Sequence, residues 1–138
     1  MDIKEERLKF LEDTITYYSA DVNRRCVGES SETSPRCKYS PKNAAKEGVS
    51  DGCAMGRHMT AENKLKADNV FVATSDSGIA NVIDLNPDIL PTSIVALGKD
   101  FLGNMQELHD LDRNWVDSGL SSQGKNKVER IKKFYIGN

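Results

Sequence analysis

Between residues 2 and 18 the apolar positions fall at helical spacing. Leu8, Leu11, Ile15 and Tyr18 lie three or four apart, so an α-helix over this stretch places them on one face. Glu5, Glu6, Lys9, Glu12 and Asp13 fall mostly elsewhere and read as solvated. Phe10 and Tyr17, seven apart, form a second strip. A helix with two apolar strips in a small protein often packs against more than its own domain, and a homodimer partner is one candidate.

Between Ala20 and Gly52 that period is lost. Asn23-Arg24-Arg25-Cys26-Val27 reads as a short extended piece and the Ser- and Thr-rich stretch 28–35 as a loop. Cys37-Lys38-Tyr39 reads as a second brief strand stopped by Pro41, and the two make a small antiparallel pair. Asn43-Ala44-Ala45-Lys46 suits a helical turn that ends at Gly48. Helix formers return over 53–67, with Thr60 placed to interrupt the run and cap a second short helix. Asn69-Val70-Phe71-Val72-Ala73 leans toward strand and ends in the turn residues Ser75-Asp76-Ser77-Gly78. With residues 79–85 it predicts a hairpin, although the second run also suits a helix. Asn86-Pro87 and Leu90-Pro91 exclude a long helix beyond it.

The last third is helical. Thr92 or Ser93 caps a turn holding Ile94, Val95 and Leu97, and Phe101, Leu102, Met105, Leu108 and Leu111 mark an amphipathic helix over 99–111. Residues 110–114 make a corner, Trp115 and Val116 belong to the core, and Gly119 stops that piece. Ser121 or Ser122 caps a final helix in which Val128, Ile131, Phe134 and Tyr135 face inward while the lysines and Arg130 face out. The pattern predicts an α+β chain: one mostly helical domain over 1–138 with a small antiparallel sheet, homodimeric.

With 138 residues there is room for one modest core and not for two. The 21 acidic and 19 basic residues leave a formal charge of -2, so the chain as a whole is no DNA or RNA binder, and any nucleotide site is a local basic cluster. No apolar run is long enough to span a membrane, and the charged N-terminus reads as no signal peptide, which predicts a cytoplasmic protein. Three cysteines then read as free thiols.

Candidate chemistry centres on residues 36–57. Gly52 and Gly56 crowd a turn that ends in Arg57, Ser50 or Asp51 can cap a helix there, and a planar guanidinium beside such a turn suits a phosphate. The plainer reading is a tight turn that packs Cys53 and Met55 into the core. Arg24, Arg25 and Arg113 are further planar donors. In a strand, Phe71 points opposite Val70 and Val72 and can stack on a base, or it fills a sheet buried on both faces. Asn81 and Asp84 interrupt an apolar run; an amide reads a base edge and a carboxylate accepts from ribose hydroxyls, with turn or cap duty as the alternative. Cys26, Cys37, Cys53 and His58 have acceptable donor types for zinc but lack a C-x-x-C knuckle. Cys53 with His58 or His109 sketches a thiol nucleophile, whereas free cysteines of this kind are commonly small buried hydrophobes. His109 reads first as a helix-end cation or a satisfied core group.

Arg36-Cys37-Lys38-Tyr39-Ser40-Pro41, Gly52-Cys53-Ala54-Met55-Gly56-Arg57 and the later Leu90-Pro91, Leu108-His109-Asp110 and Trp115 resemble the Thoeris anti-defence protein one family of phage proteins. The resemblance runs in order over most of the chain. It implies a sponge and not an enzyme: a dimeric protein, sometimes assembled further, that sequesters glyco-cyclic ADP-ribose made by bacterial TIR-domain enzymes and needs no cofactor. By that resemblance Arg57 contacts the pyrophosphate, Phe71 stacks on adenine, and Asn81 with Asp84 holds base or ribose; Arg25 is a further candidate contact. His109 and Arg113 lie where a second site for cyclic oligonucleotides is expected. The alternatives are a phage inhibitor that acts by direct protein contact and an enzyme that degrades the nucleotide.

Overall fold

The computed structural model describes residues 2–22, 54–74 and 78–137. These residues are mostly helical, with a small two-stranded antiparallel sheet. In chain order they form α1 (Ile3–Ala20), a 3-10 turn (Gly56–His58), α2 (Ala61–Thr74), α3 (Ile79–Leu85), α4 (Thr92–Val95) and α5 (Lys99–Asp110). A second 3-10 turn (Asp112–Asn114) leads into β1 (Trp115–Val116) and β2 (Gly119–Leu120), and α6 (Ser122–Ile131) runs on into a π turn (Lys132–Ile136). No helix among the described residues is long and apolar enough to cross a membrane.

Helix α5 forms the centre. Phe101, Leu102, Met105 and Leu108 have no exposed surface, and α5 packs against α3 on one side and α6 on the other. Helix α1 crosses the C-terminal π turn and β2, and contributes Phe10, Leu11, Thr14 and Tyr18 to the same core. Asp2 caps α1 by accepting from the Lys4 N–H at 3.1 Å, and Glu5 and Glu6 sit at the end where the helix dipole favours negative charge. The buried face is rotated from the sequence expectation: Leu8 and Ile15 are half-buried, and Thr14 takes an inner place by donating its hydroxyl to the Phe10 carbonyl at 2.8 Å.

Polar contacts join these elements where backbone groups would otherwise lack partners. Gln106 accepts from the buried Ile79 N–H at 3.0 Å and so satisfies the start of α3. Arg7 donates from Nε to the Leu97 carbonyl and from Nη1 to the Tyr135 carbonyl, both at 2.9 Å, with its guanidinium near the Phe101 and Tyr135 rings. One side chain of α1 thereby holds the loop before α5 and the last turn of the chain together. Trp115 is buried and donates to the Leu108 carbonyl at 2.9 Å; its strand pairs in the register Trp115 with Leu120 and Val116 with Gly119.

Several expectations need correction. Residues 69–73 are not a strand but the second half of α2, so Phe71 lies on a helix. Thr60 starts that helix as expected, accepting from the Asn63 N–H at 3.1 Å. Ala67 and Val70, three apart, are both buried, so the core selects the helical period over the strand preference of the valines. Residues 79–85 are helical, and no hairpin joins them to 69–73. The described sheet is instead the Trp115–Leu120 pair, where Val116 is 49% exposed. Phe134 is 74% exposed, because the π turn widens the helix after Ile131 and carries that side chain out of phase with the core. Lys127 is buried rather than outward, its Nζ bonding Asn104 at 2.9 Å. The strand pair expected between residues 23 and 39, together with Arg24, Arg25 and all the cysteines, lies outside the described residues.

Candidate functional site

The second strip of α1 is where the site forms. Phe10, Asp13, Tyr17 and Ala20 follow one another at spacings of three and four, and with Thr16 they make one wall of a cavity of about 350 Å³. Arg57 and His58 complete its lining. They are held there by the 3-10 turn, in which the His58 N–H bonds the Met55 carbonyl at 3.1 Å and the Met59 N–H bonds the Gly56 carbonyl at 2.9 Å. Ala54 and Met55 have no exposed surface, so the turn is anchored from below. Met55 packs into the core, as the plainer reading of the motif expects, and Arg57 lines the cavity from the same turn; Cys53 lies outside the described residues.

Aromatic rings position the two side chains. The Arg57 guanidinium carbon sits 4.1 Å from the centroid of the Tyr17 ring, and the His58 imidazole lies 5.2 Å from the Phe10 ring at 35°. Arg57 Nη1 and His58 Nε2 are both enclosed and have no hydrogen-bond partner among the described residues. Burial, and then the neighbouring Arg57 charge, hold the His58 pKa down from 6.5 to about 4, against the opposing pull of Asp13. At neutral pH the imidazole is therefore uncharged, in a cavity that it lines together with the Arg57 guanidinium and the Asp13 carboxyl group.

That combination is suited to recognition. A guanidinium takes a phosphate, a carboxylate accepts from hydroxyls or an exocyclic amine, and ring faces support a base. No group of His, Cys, Asp or Glu among the described residues could hold a metal ion. No family model matches the chain, and no curated protein or solved structure matches it.

Of the residues singled out in the sequence, Arg57 and His58 line this cavity, and the cysteines grouped with His58 there lie outside the described residues. The Phe71 backbone lies on α2, away from any strand, and its side chain lies outside the described residues, as does Arg25. Asn81 is half-buried on α3. Asp84 is exposed on the same helix and accepts from Lys99 Nζ at 2.6 Å, so its carboxylate already has a cationic partner. His109 and Arg113 do not form one surface. His109 has no exposed area, packs edge-on to Tyr18 at 4.8 Å and lies 2.7 Å from Asp110 through Nδ1, which makes it a core residue. Arg113 lines a separate groove of about 270 Å³ beside Lys127 and Arg130. Sequence reasoning assigns neither Asp13 nor Tyr17 to a site, and it offers His58 only as a zinc ligand or as the base of a thiol nucleophile. The spacing of Phe10 and Tyr17 is the available signal, and it marks the face of α1 on which Asp13 also falls.

Proposed function

We propose that this chain binds a phosphate-bearing cyclic nucleotide in the Arg57 cavity and retains it unaltered. The resemblance of its motifs names glyco-cyclic ADP-ribose, and the biological role is then that of a phage anti-defence protein acting in the cytoplasm of the infected bacterium to deprive Thoeris immunity of its signal. The observation that carries this reading is the pair of enclosed, unpartnered nitrogens on Arg57 and His58 beside a cavity with ring and carboxylate groups. A buried polar group without a partner costs about 1–3 kcal/mol, a cost that a ligand oxyanion offsets on binding.

In this reading Arg57 contacts the pyrophosphate and Asp13 accepts from ribose or base. Phe71, on α2, is the adenine-stacking partner implied by the resemblance. A cavity of about 350 Å³ stands near the lower end of ordinary ligand pockets. Thr16 and Ala20 on its rim are exposed, so a second subunit laid along α1 would enclose more of the ligand. That is the argument for a homodimer. To outcompete a signalling receptor the affinity must reach about nanomolar, or about -12 kcal/mol.

The test is to incubate the protein with glyco-cyclic ADP-ribose, remove the excess, denature by heat and identify what is released. Intact ligand supports sequestration. An altered nucleotide supports a degrading enzyme, and the absence of any nucleotide supports an inhibitor that works through protein contact. The Arg113 groove, with Lys127 and Arg130, is the place to test for a cyclic oligonucleotide, now without His109.

A further inference from the structure

Resting on the nucleotide reading of the same cavity, we propose that Arg57 and His58 form a two-point seat for one diester phosphate, and that His58 takes up a proton when the phosphate arrives. The geometry comes first. The two residues are adjacent on a turn with buried anchors, both line the cavity together with residues of α1, and each carries an enclosed nitrogen without a hydrogen-bond partner among the described residues. An arginine alone would give a cation with one orphan donor. A second orphan nitrogen on the neighbouring ring, carried by the same turn and lining the same cavity, offers two contacts, which suits two oxygens of one phosphate better than a carbonyl or a hydroxyl. Neither nitrogen touches solvent in this conformation, so a ligand reaches them only as the surrounding side chains shift.

Charge explains the proton. Arg57 lies beside His58 on its own turn, Asp13 faces it from α1, and Phe10 covers the ring. Without a ligand, burial and the Arg57 charge keep the imidazole neutral, holding its pKa at about 4. A phosphate seated between the two reverses the sign of the nearest charge. It neutralises the repulsion from Arg57 and rewards a second N–H donor, so the imidazole gains a proton from solvent and becomes imidazolium. The balance is simple: one proton leaves the buffer for each phosphate that His58 grips, and no covalent bond is made or broken. Binding linked to proton uptake strengthens as pH falls, by up to about tenfold per pH unit while the linkage lasts.

The experiment is isothermal calorimetry at about pH 6 with ADP-ribose and with its cyclic isomer, whose diester phosphates carry no titrating proton near neutrality, in buffers of different ionisation enthalpy. Proton uptake approaching one per ligand in the native protein, lost in a His58→Gln variant that binds more weakly, is the expected result. Binding with the same heat in every buffer, or uptake that persists in His58→Gln, overturns the proton-linked seat while nucleotide capture stands. Failure of the native protein to bind either nucleotide overturns both. Because the native protein alone can supply the overturning result, a His58→Gln chain that folds poorly does not protect the idea.

Discussion

The Arg57 guanidinium is stacked over Tyr17, with 4.1 Å between its central carbon and the ring centroid. This contact fixes the cation of the cavity to α1, although the residues stand 40 positions apart in the chain, from 17 to 57. A guanidinium over an aromatic face gains about 0.5–2 kcal/mol, depending on how far it is desolvated. Tyr17→Leu removes the π face, so nucleotide affinity should fall by a factor of roughly 2 to 30, as that range of energies implies. Arg57→Lys keeps the charge but loses the planar fork and should weaken capture by at least about tenfold. Equilibrium dialysis with the nucleotide checks both. If Arg57→Lys binds as the native chain does, the guanidinium is not the phosphate contact.

The second prediction concerns stability against pH. His58 has a folded pKa of about 4 against an ordinary value of 6.5, so between those values the unfolded chain binds the extra proton and the folded chain does not. Stability therefore rises with pH across this window: the His58 contribution is fully present above about pH 6.5 and is lost as pH falls toward about 4. The full effect is at most about 3 kcal/mol, since each pH unit between the two values is worth about 1.36 kcal/mol, and solvent around the half-buried ring reduces it further. Urea unfolding in that range should show the slope in the native protein and a smaller one in His58→Gln. Equal slopes would assign the acid sensitivity to other groups.

How far the sequence predicts this fold can be followed residue by residue. Helices α1, α5 and α6 are visible as apolar periods, and Thr60 and Ser121 cap where their sequence positions suggest, Ser121 by accepting from the Gly124 N–H at 3.1 Å. The second half of α2 is not, because Val70-Phe71-Val72 carries a local strand preference that the burial of Ala67 and Val70 overrides. The Trp115–Leu120 hairpin has strands of two residues each, too short for any alternation to show. Phe134 follows Ile131 by three and reads as inward only in an α-helix; the Gly137 N–H bonding the Lys132 carbonyl at 2.7 Å shows the wider turn that moves it out. At the site, Arg57 is readable as a residue type beside glycines. His58 as its partner depends on the local fold of the turn and on Phe10, neither of which leaves a spacing in the sequence.

Arg7 offers a third prediction, about how the chain ends are held. Its two donors satisfy the Leu97 and Tyr135 carbonyls, and its guanidinium lies near the Phe101 and Tyr135 rings. Arg7→Met preserves much of the apolar stem and removes both charged donors. Each lost hydrogen bond from a charged group is worth about 1.5–3 kcal/mol, partly recovered by water at this half-buried position, so a net loss of about 3 kcal/mol is expected in denaturant unfolding. The increase in hydrogen exchange should concentrate at residues 132–137. A uniform increase across all helices would mean that Arg7 is not a local clamp.

Two glycines of the C-terminal half should respond in opposite directions to the same substitution. A Cβ at Gly124 would lie 2.1 Å from the Asn114 carbonyl oxygen, a backbone atom fixed by the hydrogen bond it accepts from the Ser121 N–H at 2.9 Å. Neither side can yield without opening the junction between the hairpin and α6, so Gly124→Ala should cost about 3 kcal/mol or more, the upper part of the range for overpacking. At Gly103, inside α5, a Cβ would meet nothing within 4 Å, and Gly103→Ala should stabilise the chain by about 0.5–1 kcal/mol through helix propensity. Thermal unfolding of the two variants checks the pair. The functional consequence also differs by location: Gly124 supports the elements that carry the Arg113 groove, whereas the Arg57 cavity is built on α1 and the 3-10 turn. Folded Gly124→Ala protein, at a temperature well below its melting point, should therefore keep its nucleotide affinity at Arg57, and a parallel loss there would show that the two ends of the molecule are coupled.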